Sequence, residues 1–293
     1  MKVLYYPGCT LKTKARNLGD TAVESLALLD IELEELSRWN CCGAVHSLAD
    51  DDLIHLVAPV RVLIRALEQG GGRLVTICSM CYNTLARANR VMRDDPEKRK
   101  TINLFMDEEP DYQGEVEVVH LLSMFRDEVG WDLLRERIKI PLKGLKIAPY
   151  YGCTLQRPRE VGIEPVGRFD LMKHFIEALG AEAVSMTSAD RCCGSYQILG
   201  NPEVAKDASS IILADAGKSG ADALVLSCPL CEFNLDRNQG VLFEEGRISK
   251  VVPAFYFTQL LALALGVDPR RCHLELNSEA SIGLLRDKGI IAS

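Results

Sequence analysis

Two short stretches, Asn40-Cys-Cys-Gly43 and Arg191-Cys-Cys-Gly194, each set two thiols side by side in front of a glycine. Each pair has a single cysteine upstream and a CxxC downstream. The spacings are Cys9-x31-Cys41-Cys42-x35-Cys78-x2-Cys81 and Cys153-x38-Cys192-Cys193-x34-Cys228-x2-Cys231. Thiolates bind soft metals and exchange disulfides, so the candidates are zinc, an iron–sulfur centre and thiol–disulfide redox chemistry. A structural zinc takes four ligands in a tetrahedron and leaves one cysteine of each set over. Adjacent residues in extended backbone point to opposite sides, which is awkward for one ion. A polynuclear centre relaxes that constraint, because neighbouring thiolates can reach different metal atoms or bridge two. An ordinary cubane [4Fe–4S] cluster wants four cysteines, three of them usually from one compact run. Cysteines used as small buried hydrophobes would not explain why the pattern occurs twice.

The cysteines lie in an internal duplication. KVLYYPGCTL (2–11) returns as KIAPYYGCTL (146–155), NCCG (40–43) as RCCG (191–194), and LVTICSMCYNTL (74–85) as LVLSCPLCEFNL (224–235). The charged stretch around Leu134 to Gly144 reads as the junction, giving an N-terminal domain over 1–140 and a C-terminal domain over 141–293. Short apolar runs predict strands at Val3–Tyr6, Ile31–Leu36, Leu74–Ile77 and Val116–Val119. Their counterparts are Ile147–Tyr150, Ala183–Met186, Ala223–Leu226 and Val251–Phe255. Segments of helical period alternate with them, such as Asp51 to Glu68. The expected fold is α/β: two similar domains, each a mostly parallel sheet flanked by helices, with the cysteine loops at the C-terminal ends of strands. Open α/β sheets usually place ligands at that edge. Gly43 and Gly194 suit tight turns there, and Pro229 suits a first helical turn.

Composition narrows the class further. A chain of 293 residues can bury a substantial core and needs no disulfides merely to fold. The formal net charge is −7 with no basic block, which argues against nucleic acid. No apolar run is long enough to span a membrane or to serve as a signal peptide, so a cytoplasmic protein is expected. Eleven cysteines in a reducing compartment point to metal or redox chemistry. No GxGxxG follows a strand, and Gly70 to Gly72 read as a loop.

The doubled Cys, CCG, CxxC pattern resembles the CCG-domain (cysteine-rich) family, in the form found in the B subunit of heterodisulfide reductase. The resemblance runs over almost the whole chain, including EVVHLL (117–122) and VPAFYFTQLLALALG (252–266). It implies that Cys9, Cys41, Cys42, Cys78 and Cys81 hold one noncubane [4Fe–4S] cluster, and Cys153, Cys192, Cys193, Cys228 and Cys231 a second. It implies reduction of a disulfide, CoM-S-S-CoB or a bacterial counterpart, in a pocket where the strand ends of the two halves meet. Electrons would come from a C-type subunit with cubane clusters, fed by a flavin-containing A-type subunit. The alternative is a non-catalytic relay subunit, and a zinc-stabilised scaffold is a third reading. The family's methanogenic members carry HYGCH where this chain has Tyr150-Tyr-Gly-Cys-Thr154, which leaves the proton donor open.

Other residues receive plainer readings. Tyr150, Tyr151 and Tyr196 are possible donors, although a core role is commoner for each. Lys12, Lys14, Arg16, Arg157 and Arg159 could draw in an anion, with solvated surface charge the safer reading. His46 and His120 could tune a centre from behind its ligands, with a structural role favoured. Cys272 has no place in the repeat. Asp268 to Ser293 reads as a docking tail or a frayed terminus.

Overall fold

The computed structural model describes residues 1–44 and 52–292. In the first half, four strands, β1 (Lys2–Tyr6), β2 (Glu32–Glu35), β3 (Arg73–Thr76) and β4 (Glu117–His120), form a sheet of order β2-β1-β3-β4. In the second half, β5 (Lys146–Pro149), β6 (Glu182–Ala183), β7 (Ala223–Leu226) and β8 (Ala254–Tyr256) repeat it as β6-β5-β7-β8. Every pairing in both sheets is parallel. The central strands are buried apolar runs, as β7 shows with all four residues of ALVL buried.

Helices connect the strands. The first half has α1 (Arg16–Leu28), α2 (Ile54–Glu68), α3 (Ser79–Asp94), α4 (Pro96–Phe105), α5 (Leu121–Met124) and α6 (Trp131–Arg137). The second half has α7 (Asp170–Ala178), α8 (Gln197–Gly200), α9 (Pro202–Lys218), α10 (Pro229–Glu232), α11 (Gln239–Glu244), α12 (Phe257–Ala264) and α13 (Glu279–Asp287). Local chemistry sets several starts: Asp95 caps α4 through the Lys98 N–H, with Pro96 in the first turn, and Ser278 caps α13 through the Ser281 N–H.

The halves exchange helices. The helix that follows the first strand of each half packs on the helix that follows the last strand of the other. Thus α1 lies on α12, and α7 lies on α5. All residues of α12 are buried, as befits a helix covered on every side. Aromatic rings stitch the seam: Phe125 and His120 of the first half flank Phe175 and Phe257 of the second, with Phe125 to Phe175 at 5.9 Å between centroids, Phe175 to Phe257 at 5.7 Å and Phe257 to His120 at 6.0 Å. Each fully buried Phe contributes roughly 1.5–3 kcal/mol. Polar bonds set the register, with Thr21 donating to Thr258 Oγ1 (2.8 Å) and Thr258 to the Leu18 carbonyl (2.9 Å).

The strand expectations differ from the structure mainly at the edges. Strand β6 is two residues long, and β8 begins at Ala254 instead of Val251. The junction is partly helical, since α6 runs to Arg137 before the chain enters β5. The C-terminal stretch is built into the fold: Asp236 accepts from Ser278 N (2.8 Å), Ser278 Oγ (3.0 Å) and Ser281 Oγ (3.0 Å). Those buried bonds overrule its polar composition. Among the described residues no helix is long and apolar enough to cross a membrane.

Candidate functional site

In the first half, β1 delivers Cys9, the loop after β2 delivers Cys41 and Cys42, and β3 delivers Cys78 to the N-cap of α3. Cys81 lies in the first turn of that helix. The five sulfurs form a continuous series. Cys9 Sγ is 3.5 Å from Cys41 Sγ, Cys42 Sγ is 3.7 Å from Cys81 Sγ, and hydrogen bonds link Cys41 to Cys42 and Cys81 to Cys78. Gly8, at φ +74°, lets the chain pass over Cys81: a Cβ there would stand 2.9 Å from Cys81 Sγ. The Tyr6 hydroxyl donates to the Asn40 carbonyl (2.9 Å) and so fixes the approach to the cysteine pair. His120, wholly buried, fixes Ile77 in front of Cys78 through Nε2 and the Ile77 carbonyl (2.8 Å), while its Nδ1 accepts from Leu122 N (3.2 Å).

The second half repeats these devices. Cys193 Sγ is 3.5 Å from Cys231 Sγ, Cys153 bonds Cys192, and Cys228 bonds Cys231 from the N-cap of α10. Tyr150 takes the place of Tyr6 and donates to the Arg191 carbonyl (2.7 Å). Gly194, at φ +90°, lies against α9, where a Cβ would come within 2.5 Å of Ala205 Cα. Asn234 ties the turn together through the carbonyls of Cys193 (3.2 Å) and Ser195 (3.0 Å).

Exposure grades across each set. Cys9, Cys41 and Cys192 are exposed and Cys153 is intermediate, while Cys42, Cys78, Cys81, Cys193, Cys228 and Cys231 are buried. Hydrogen bonds from Cys41, then Cys81, together with the Ala44 N–H, hold Cys42 well below the ordinary thiol range. Cys153, with help from the Gly194 N–H, lowers Cys192 to about 6. Cys231 and the N–H groups at the start of α10 lower Cys228 to about 7. Their partners move up: Cys81 through Cys42, Cys153 through Cys192, and Cys231 through Cys193, with burial adding to each. Among the described residues no cation is among the leading groups that set these shifts. Five neighbouring thiolates therefore cannot all ionise without positive charge from elsewhere, and a soft multivalent metal centre is the group this donor set could hold. Among the described residues no three His, Cys, Asp or Glu side chains converge as a site for a single ion; the thiols are linked in series.

The two sets meet at their CxxC turns. Ser79 N, next to Cys78, donates to the carbonyl of Ser227, next to Cys228 (3.2 Å). Asn83, two residues beyond Cys81 and buried, donates across the seam to the carbonyls of Thr154 (2.9 Å) and Arg157 (2.7 Å), holding the loop that follows Cys153. In return Arg237 donates to the Lys14 carbonyl (3.3 Å) in the loop that follows Cys9. Burial raises the Glu232 carboxyl to about 7 against the pull of Arg237, whose Nε lies 3.0 Å away.

The ten cysteines of the sequence pattern are thus brought into two groups of five, with one difference. The cysteine pairs follow their strands at a distance, across residues 36–40 and 184–191. Tyr150 is committed to a carbonyl, and Tyr151 to Glu164 (2.6 Å). Lys12 pairs with Glu35 and Arg157 with Asp190 (2.6 Å), each tying a first-cysteine loop to the approach to its cysteine pair. Cys272 is fully buried, away from both groups, and burial pushes its thiol up to about 12. His46 lies outside the described residues. Asn83, Asn234, Ser79 and Ser227 were missed, although their positions beside the CxxC and CCG turns offered a signal; the Tyr6 and Tyr150 equivalence was visible in the repeat itself.

Two parallel sheets that present twin cysteine loops define the class. The cysteine-rich domain family, CCG, matches residues 3–86 and 147–236, and the chain belongs to it. Over 276 residues the chain is 33% identical to the 8-methylmenaquinol:fumarate reductase membrane anchor subunit of Wolinella succinogenes, covering 93% of this chain and 95% of that one. It is 29% identical over 290 residues to the B subunit of the ferredoxin/F(420)H(2)-dependent CoB-CoM heterodisulfide reductase of Methanosarcina acetivorans, covering 97% and 96%. A hypothetical protein from Helicobacter pylori has the same fold, with a TM-score of 0.73 at 14% identity over 94% of this chain; the match spans 51% of that structure.

Proposed function

We propose that this protein is an iron–sulfur redox subunit of the heterodisulfide reductase B type. Cys9, Cys41, Cys42, Cys78 and Cys81 in an N-terminal domain (1–140) would hold one noncubane [4Fe–4S] cluster. Cys153, Cys192, Cys193, Cys228 and Cys231 in a C-terminal domain (141–293) would hold the other. Iron–sulfur clusters supply electrons one at a time, whereas opening a disulfide takes two electrons and two protons and yields two thiols. The observation that carries the reading is the Ser79–Ser227 main-chain bond, which fixes the two CxxC turns against each other and lets two one-electron sites serve one bond. The protein's own part is positional. Asn83 and Arg237 hold the first-cysteine loops, the N–H groups of α10 favour thiolate, and exposed Cys9, Cys41 and Cys192 mark the side open to approach. Tyr150 and Tyr151 have committed hydroxyls, so the protons come from elsewhere. Partners in this reading are a C-type cubane-cluster subunit and a flavin-containing A-type subunit in the cytoplasm, and the substrate is CoM-S-S-CoB or a bacterial counterpart.

A second reading, an electron-relay subunit without bond chemistry, is favoured by one finding: the 33% identical relative is named as a subunit of a fumarate reductase. Anaerobic purification with iron, sulfide and zinc analysis tests the shared premise, for which about eight irons per chain are expected. One zinc and four irons would overturn it. A disulfide assay with a low-potential donor then separates the readings. Reduced protein that ignores every disulfide but reoxidises with a partner protein is the relay.

A further inference from the structure

Four buried hydroxyls at the ends of β3, β7 and β8 and in the CxxC turns have no hydrogen-bond partner: Thr76, Ser79, Ser227 and Tyr256. All are at most 2% exposed. A buried hydroxyl left unpaired costs about 1–3 kcal/mol, so several in one region call for an explanation. Ser79 follows Cys78, and its N–H donates to the carbonyl of Ser227 (3.2 Å), which sets it against the CxxC turn of the other half. Ser227 precedes Cys228. Burial first, then the charge of Glu232, then those of Cys228 and Cys78, one cysteine from each half, push the Tyr256 hydroxyl well above the ordinary phenol range. Glu232 also lies near the Tyr256 hydroxyl, yet Arg237 Nε donates to both carboxylate oxygens (3.0 and 3.2 Å), and no hydrogen bond of ordinary geometry joins the acid to the phenol.

The duplication sharpens the point. His120 stands where Tyr256 stands, at the end of the fourth strand of its sheet, and both its ring nitrogens are committed to main chain. The second half has replaced a satisfied histidine by a phenol without a hydrogen bond of ordinary geometry, paired in the sheet with Leu226, two residues before Cys228.

We propose that Tyr256, assisted by Ser79, is a hydrogen-bond donor shared by the two cysteine sites, a positioning residue that supports negative charge on sulfur in both halves. The proposal rests on the iron–sulfur reading above and concerns its tuning. A donor to cluster or cysteine sulfur stabilises the reduced, more negative state and raises the reduction potential. Serving both sites, it would keep their potentials close, as a two-electron reaction requires.

The test is Tyr256→Phe in the full chain, which keeps the ring and removes the proton. With iron content unchanged, a redox titration followed by electron paramagnetic resonance should show both cluster signals shifted to more negative potential. Without metal, the variant should melt at the same temperature as the parent or higher, because an unsatisfied group has been removed; with iron bound it should melt lower. Ser79→Ala should shift the signal of the second half more than that of the first. Unshifted potentials in an iron-loaded variant, or a metal-free protein destabilised as much as the loaded one, would overturn the shared-donor role. Failure of the parent chain to bind iron would instead overturn the cluster reading itself.

Discussion

Asn83→Ala should damage the cysteine site of the other half more than its own. The Asn83 amide belongs by sequence to the first repeat, two residues beyond Cys81, but donates to the carbonyls of Thr154 and Arg157 in the second. Removing it leaves two largely buried acceptors without a donor, at about 1–3 kcal/mol each, so about 2–6 kcal/mol falls on the loop carrying Cys153. At about 1.4 kcal/mol per factor of ten, a loss of 3 kcal/mol lowers the population of the binding-competent loop more than about a hundredfold. At limiting iron the second-half cluster signal should then disappear while the first-half signal persists. The single-half variants described below assign each signal. Hydrogen exchange on metal-free protein gives an independent readout, with protection lost at residues 153–157 and kept around Cys9. If the first-half signal is lost instead, or both fall together with a collapse of global stability, the cross-half clasp is wrong.

Cys42→Ala and Cys193→Ala should each remove about half the iron and one spectroscopic signal, and an intact spectrum in either would refute that residue's place in its set. Gly194→Ala and Gly43→Ala both put a side chain on left-handed backbone (φ +90° and +77°), but the first meets Ala205 Cα at 2.5 Å whereas the tightest contact of the second is Ala58 Cβ at 3.2 Å. Urea unfolding should therefore show a loss of about 2–4 kcal/mol for the first and about 1–2 kcal/mol for the second. Burial lowers His120 to about 3, so the unfolded chain binds the extra proton between the ordinary histidine value and that point. Its stabilising contribution is complete above about pH 6.5 and falls as the solution is acidified, by on the order of 2 kcal/mol at pH 5. Metal-free His120→Asn, which keeps a donor but does not titrate, should lose less stability on acidification than the parent, as measured by chemical denaturation at each pH.

Strands and cysteine loops were legible because buried parallel strands are short apolar runs, and the repeat supplied each one twice. The edges were harder. Glu182–Ala183 is strand only where it meets β5, a decision made by pairing and not by the two residues themselves. Likewise the C-terminal stretch looks polar in isolation, and only Asp236, 42 residues away from Ser278, makes those polar groups buried partners. The cysteine groups were readable from spacing, but their supports were not. Asn83 lies 71 residues from the carbonyl of Thr154, and nothing in either local sequence announces the bond. Tyr256 and His120 occupy equivalent positions, yet their difference acquires meaning only once the histidine is seen bonded and the phenol is not.

The exchange of α1 and α7 between the repeats has a further consequence. A fragment ending near Arg137 would keep its sheet and five cysteines but lose the cover that α12 gives to α1, and the reverse fragment would lose the cover that α5 gives to α7. Each repeat is therefore a template that only its twin completes. A substitution at the shared seam is felt by both copies, so in this region the duplicated segments must change in concert or remain as they are.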